Sequence, residues 1–280
     1  MGIGIMQGRL LPPLEGKIQS FPRERWRDEF RLAADAGLAA IEWIYDLAGC
    51  EENPIVTDRG IAEMKTLGAQ HGVEVRSLCA DYFMDLPLLR ADAPQVEERT
   101  EVLMWLLGRC SRAGIDRIVL PFVDSSQITT DAELLIVVGI LDRVIPVANT
   151  AGVELHLETS LDPVRFARLL ALLPGPEIKV NYDSGNSASL GFVPAIEFRE
   201  YGHRVGSIHM KDRVKGGTTV PLGTGDADFP SLLRCLRDIA YRGDIVLQVA
   251  RGTDGDEVEW SRQNLAYVRD LQRRRDAPWT

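Results

Sequence analysis

Short apolar runs alternate with longer segments in which apolar residues recur every three or four positions. The runs at 2–7, 38–45, 73–83, 117–122, 153–158, 178–183, 205–211 and 244–249 predict eight strands. Between them, helical spacing predicts helices over 26–36, 58–71, 94–112, 131–150, 162–173, from 193, 229–240 and 257–274. Gly37, Gly72, Gly114 and Gly152 follow four of these helices as stop signals. Pro146 is expected to kink or shorten the fifth helix, and Gly185–Asn186 to form a turn after the sixth strand.

Eight strand–helix alternations, at a spacing of about 30 to 40 residues, favour a closed (β/α)8 barrel over an open doubly wound sheet. No G-x-G-x-x-G follows the first strand, which argues against a dinucleotide-binding domain. Gly223 and Gly225 come late, ahead of a helix, and read as a turn. The whole chain, 1–280, is read as one domain.

In a strand, side chains alternate between two faces, so residues two apart point the same way. Four consecutive strands each deliver one metal-capable side chain at the C-terminal end: Glu158, Asp183, His209 and Gln248. In a barrel these ends surround the active site. Oxygen ligands plus one imidazole suit one divalent ion among Mn²⁺, Co²⁺, Mg²⁺ and Zn²⁺ better than a thiol-seeking metal. His156 shares a face with Glu158 and points into the barrel, either as a buried structural group or as a substrate contact. Lys211, two residues after His209, also faces inward, towards a substrate oxygen or into a rim ion pair with Asp212. Arg213 and Arg251 lie beyond the last two strands, with Gly216–Gly217 near by, and are candidates for binding an anion. Gln7, Glu42 and Tyr82 end earlier strands and are candidate pocket residues. Trp43, next to Glu42, is expected to pack outward.

A net charge of −9, with 45% hydrophobic and 26% charged residues, describes a globular chain without the basic footprint of a nucleic-acid binder. Cys50, Cys79, Cys110 and Cys235 form no C-x-x-C pair and are expected to be reduced thiols in a cytoplasmic protein. The first ten residues lack the pattern of a signal peptide. The longest apolar run, 134–141, is less than half of a membrane span, so no membrane partner is expected. Arg273, Arg274 and Arg275 complement the dipole of the last helix. A homo-oligomer is compatible with all of this.

The segments GIMQGRL (4–10), IQSFPRERWRDEF (18–30), IEWIYD (41–46), LHLET (155–159), NYDSGN (181–186), SIHMKDR (207–213) and PLGTGDADF (221–229) resemble the xylose-isomerase-like TIM barrels. That family includes sugar and sugar-phosphate isomerases and epimerases and inosose dehydratases. The resemblance implies a divalent metal held by Glu158, Asp183 and His209, with the fourth ligand at 248. Epimerases of the family usually place a second Glu there; Gln248 can still ligate but cannot carry a proton. Asn186 stands where relatives often have a substrate-binding His.

The expected function is therefore a metal-dependent isomerase or epimerase of a sugar or sugar phosphate. Glu158 moves a carbon-bound proton and Lys211 assists, and aldose–ketose isomerisation is slightly favoured because Gln248 removes one base. Alternatives are inosose-type dehydration on the same site and non-catalytic sugar binding. The histidine-rich phosphodiesterase seen in DNA-repair endonucleases of this fold is disfavoured by four histidines and the acidic charge.

Overall fold

The structure is a computed structural model that describes residues 2–276 and the side chains through Arg273. Eight parallel strands close into one barrel: β1 (Ile3–Met6), β2 (Ala40–Ile44), β3 (Glu74–Cys79), β4 (Arg117–Phe122), β5 (Glu154–Thr159), β6 (Ile178–Asp183), β7 (Val205–Met210) and β10 (Ile245–Leu247), the last pairing with β1. Two short strands, β8 (Asp212–Arg213) and β9 (Thr219–Val220), form an antiparallel hairpin on the rim. The architecture is the expected single (β/α)8 barrel.

Helices α1 (Asp28–Ala36), α2 (Asp58–His71), α4 (Ala93–Ala113), α5 (Asp131–Ala151), α6 (Pro163–Leu172), α8 (Pro194–Tyr201), α9 (Phe229–Asp238) and α10 (Glu257–Asp276) wrap the barrel. Two further helices depart from expectation. The third strand stops at Cys79 and Tyr82–Asp85 form a single turn, α3. The expected turn at Gly185 opens a helix instead, α7 (Ser184–Leu190), whose first turn is capped by Asp183. Nor does Pro146 stop α5, which continues to Ala151. Pro146 and Asp142, whose carbonyl loses its i+4 partner, are both on the exposed side of the helix. By length and composition α5 is apolar enough to cross a membrane, which the shorter run 134–141 did not suggest; here it is a barrel helix whose Leu134, Val137, Leu141 and Val144 are buried.

Period-two alternation divides the strands cleanly. Ile41, Trp43, Ile118, Leu120, Leu155, Leu157, Ile208 and Met210 face the helices and are essentially inaccessible. Trp43 stacks with Phe21, Trp26 and Phe30 within about 6 Å, between 5.7 and 6.0 Å by ring centroids. That cluster, together with a hydrogen bond from Phe21 N to Asp46 Oδ2 (2.9 Å), pins the long loop between β1 and α1 over the barrel mouth. The inward face is unusually polar, with Glu42, Ser77, His156, Asn181, Ser207 and His209 all buried. Arg273 pairs with Asp270 at 3.3 Å; the side chains of Arg274 and Arg275 lie outside the described ones.

Candidate active site

His209, on β7, is the centre of the polar interior. Its Nε2 lies 2.6 Å from Glu42 Oε1, and Glu42 also accepts a short hydrogen bond from Ser77 Oγ. With Nε2–H given to Glu42, the lone pair of Nδ1 is left for a ligand. Nδ1 is buried and has no hydrogen-bond partner: Glu158 Oε2 stands 3.1 Å away but out of line for one. Burial alone would lower the pKa of this imidazole, but the flanking Glu42 and Glu158 carboxylates outweigh it and raise it to about 10. A divalent cation would take the place of that proton.

Glu158, at the end of β5, accepts from Asn181 Nδ2 and Asn186 Nδ2, each at 2.7 Å, one on each carboxylate oxygen. Asp183 spends Oδ1 on the N-terminus of α7, at 2.8 Å from Asn186 N. Its Oδ2 and Gln248 Oε1 both lie 3.1 Å from Lys211 Nζ, so these two oxygens converge on one positive charge. Ligand atoms of Glu158, Asp183 and His209 all lie within 4.8 Å of one another. An orphaned imidazole nitrogen, two carboxylates and an amide oxygen fit a hard or borderline divalent ion.

Three supports hold this arrangement. Beneath it, Glu154, His156, Ser207 and Asn181 form a chain of hydrogen bonds of 2.9, 2.7 and 2.6 Å leading to Glu158. Gly206 is required there: a Cβ would stand 2.5 Å from His156 Cε1. Beside it, α7 is locked by the buried Glu197, which accepts from Tyr182, Ser187 and Tyr201 at 2.9, 2.5 and 2.8 Å. On the rim, Asp212 accepts from the backbone N–H groups of Gly223, Gly225 and Ala227, folding the 221–227 loop around itself.

Above the site opens a cavity of about 590 Å³. Glu158, Asn186, Lys211, Arg213 and Gln248 line it; Asp183 and His209 are buried behind this lining, Asp183 Oδ2 at 3.1 Å from Lys211 Nζ and His209 Nδ1 at 3.1 Å from Glu158 Oε2. Five candidate residues from the sequence sit elsewhere. Gln7 is fully buried and accepts from Ile44 N (2.9 Å). Glu42 and His156 face inward but one or two layers below the cavity, where they orient His209 and Asn181. Arg251 donates to the carbonyls of Ile18 (3.0 Å) and Leu11 (2.7 Å), so it straps the first loop and does not face the cavity. The Gly216–Gly217 turn is no anion nest, because both N–H groups are already bonded to carbonyls. Tyr82 packs on Tyr45 and Phe83. Lys211 pairs with Asp183 rather than with Asp212.

Sequence reasoning missed Arg9, Gln19 and Asp81, which line the cavity, and Asn181, which holds Glu158. Asn181 was open to detection, since it lies two residues before Asp183 on the same face. Arg9 and Gln19 come from the loop pinned by the aromatic cluster. Arg9 is almost fully buried, and burial together with the nearby Arg251 charge lowers its pKa to about 9.

Residues 30–271 match the model of the xylose isomerase-like TIM barrel. The chain belongs to this family. It is 26% identical over 254 residues to a 2-epi-5-epi-valiolone 7-phosphate 2-epimerase from Actinoplanes sp., covering 87% of this chain and 91% of that protein. The fold also superimposes on the IolI protein with a bound zinc atom (TM-score 0.77, 14% identity, 98% of this chain and 99% of that one). A second structural neighbour is D-psicose 3-epimerase from Clostridium cellulolyticum H10 with D-tagatose (TM-score 0.72, 16% identity, 97% and 99%).

Proposed function

We propose that this chain is a divalent-metal-dependent epimerase of a phosphorylated polyhydroxy ketone. The observation that carries the reading is the convergence of Glu158, which lines the cavity, with Asp183 and the unpartnered Nδ1 of His209. Glu158, Asp183, His209 and Gln248 Oε1 would hold the ion, which supplies polarisation of the substrate carbonyl.

Glu158 is the group that removes a proton from the carbon beside that carbonyl. Asn181 and Asn186 fix its carboxylate, so it meets the substrate in one orientation. Arg213 is the group for the substrate's phosphate. Its guanidinium lines the cavity and is held by Asn186 Oδ1 (2.9 Å) and the Gly217 carbonyl (2.8 Å). A rigid fork of donors at the mouth suits a phosphate.

The choice of epimerisation over aldose–ketose isomerisation, the reverse of the expectation drawn from Gln248, follows the activities for which the similar 7-phosphate epimerase and 3-epimerase are named. The test is to incubate the Mn²⁺-loaded protein in heavy water with 2-epi-5-epi-valiolone 7-phosphate, D-ribulose 5-phosphate, D-xylulose 5-phosphate and D-fructose 6-phosphate. Deuterium entering one carbon with inversion there supports the reading. Carbonyl migration, loss of water, or no exchange with any of the four contradicts it.

A further inference from the structure

Inversion at carbon needs a proton carrier on each face, and the amide of Gln248 carries none. We propose that Asp81 is the second catalytic acid–base group, acting on the substrate from the β3 side of the cavity while Glu158 acts from the end of β5. This rests on the epimerase reading above and assigns its missing partner.

The first observation is one of direction. Asp81 immediately precedes the single-turn helix α3, where an aspartate ordinarily turns back to accept from the first backbone N–H groups. Its side chain makes no such bond. It turns into the cavity that Glu158 and Lys211 line. There, Oδ2 accepts from Gln19 Nε2 at 2.6 Å and Oδ1 from Cys79 Sγ at 3.2 Å.

The second observation is connection. The same Gln19 accepts, through Oε1, from Gln248 Nε2 at 3.0 Å and from Arg9 Nη2 at 3.1 Å. One amide group therefore separates the Asp81 carboxyl from the side chain at 248, where a carboxyl would otherwise stand. Gln19 and Gln248 are amides and relay nothing, so Asp81 serves by touching the substrate itself. Of the other proton-bearing groups that line the cavity, Lys211 is tied to Asp183 and Gln248, and Asp46 accepts from Phe21 N.

The charge around Asp81 suits the role. Burial pushes its pKa up to about 6, with the Asp46 and Glu158 carboxylates adding to the rise and the bonds from Gln19 and Cys79 opposing it. The Arg9 guanidinium is the cation that faces it. A carboxyl group that titrates near neutrality can both give and accept a proton at working pH.

The proton inventory closes. The Glu158 carboxylate takes the proton of the reacting carbon, and the C–H electron pair passes into the enediolate of the substrate. Asp81, entering as the carboxylic acid, gives its proton to the opposite face of that carbon as the carbonyl re-forms. Asp81 ends as a carboxylate and Glu158 as an acid; through water in the open cavity Glu158 releases its proton and Asp81 takes one up, which restores the starting state. In the reverse direction the two exchange roles.

The experiment compares wild type, Asp81→Asn, Asp81→Glu and Glu158→Gln, all with Mn²⁺, on the four ketose phosphates in heavy water. NMR reads deuterium entry and inverted product separately, and calorimetry reads Mn²⁺ affinity. Expected for Asp81→Asn is inversion reduced by at least about 10²-fold, while deuterium still enters with retention through Glu158. Mn²⁺ affinity stays within about threefold of wild type, Asp81→Glu recovers part of the inversion, and Glu158→Gln loses both signals. The assignment is overturned if Asp81→Asn inverts within about threefold of wild type, or if its exchange and inversion fall together. If Asp81→Asn does not fold, Asp81→Glu decides: unchanged inversion with an unchanged acidic limb of the pH–rate profile overturns the assignment. A wild type that exchanges no proton in any of the four refutes the epimerase reading instead, and is recognised by that.

Discussion

Glu42 Oε1 and His209 Nε2 lie 2.6 Å apart on strands whose residues are separated by 167 positions, and neither side chain is exposed. This contact fixes which imidazole nitrogen faces the candidate metal site. Glu42→Ala should therefore weaken Mn²⁺ binding by about 10- to 100-fold, as removal of a partner behind a ligating histidine does elsewhere. Calorimetric titration of the two proteins checks this. Equal affinity would mean that His209 is not a ligand, or that packing alone orients it.

Arg213 is expected to distinguish phosphorylated from free ketoses. Arg213→Ala should raise KM for the phosphorylated form by about 10²-fold with a much smaller effect on the unphosphorylated one. Arg251→Ala should leave that preference intact and lower the melting temperature, because its guanidinium holds loop carbonyls. Equal losses for both substrate forms in Arg213→Ala would place the phosphate elsewhere.

Acid should loosen the N-terminal end of α5. Glu133 is partly desolvated, which would raise its pKa, but bonds from Thr129, Arg90 and Thr130 lower it to about 2. A depressed carboxylate pKa contributes stability that is present above the unfolded value, near 4.3, and is lost as pH falls towards 2. Glu133→Gln should therefore be less stable than wild type at pH 7, and the gap should close between about pH 4 and 2. Chemical denaturation at both ends of that window measures it; a gap that persists at pH 2 would mean that the capping geometry, and not the charge, matters.

The barrel was legible because each strand keeps its period-two pattern and each helix its stripe. What periodicity could not convey was depth. Glu42, His156 and Glu158 all point inward, yet the first two lie below the cavity floor and only the third reaches it. Nor does periodicity foretell where loops go: Arg251 turned to the carbonyls of Leu11 and Ile18, while Arg9 and Gln19 were carried over the mouth by an aromatic cluster built from residues far outside the site. Helix α7 was hidden for a related reason. Gly185–Asn186 signals a turn locally, and the helix is imposed by the Asp183 cap and by Glu197 gripping Ser187. Asp81 was passed over because it falls in the run 73–83, which reads as one strand, whereas β3 stops at Cys79 and Asp81 leads into α3.

The central claim is that Glu158, Asp183 and His209 hold one divalent ion beneath the substrate. A crystal structure of the protein loaded with Mn²⁺, phased on the anomalous signal of the ion, tests it most directly. The account predicts a single peak with carboxylate oxygens and His209 Nδ1 at about 2.0–2.3 Å, and Gln248 Oε1 turned towards it. No peak at that place under saturating Mn²⁺, or a peak bound through His209 Nε2 with Glu42 displaced, would contradict it.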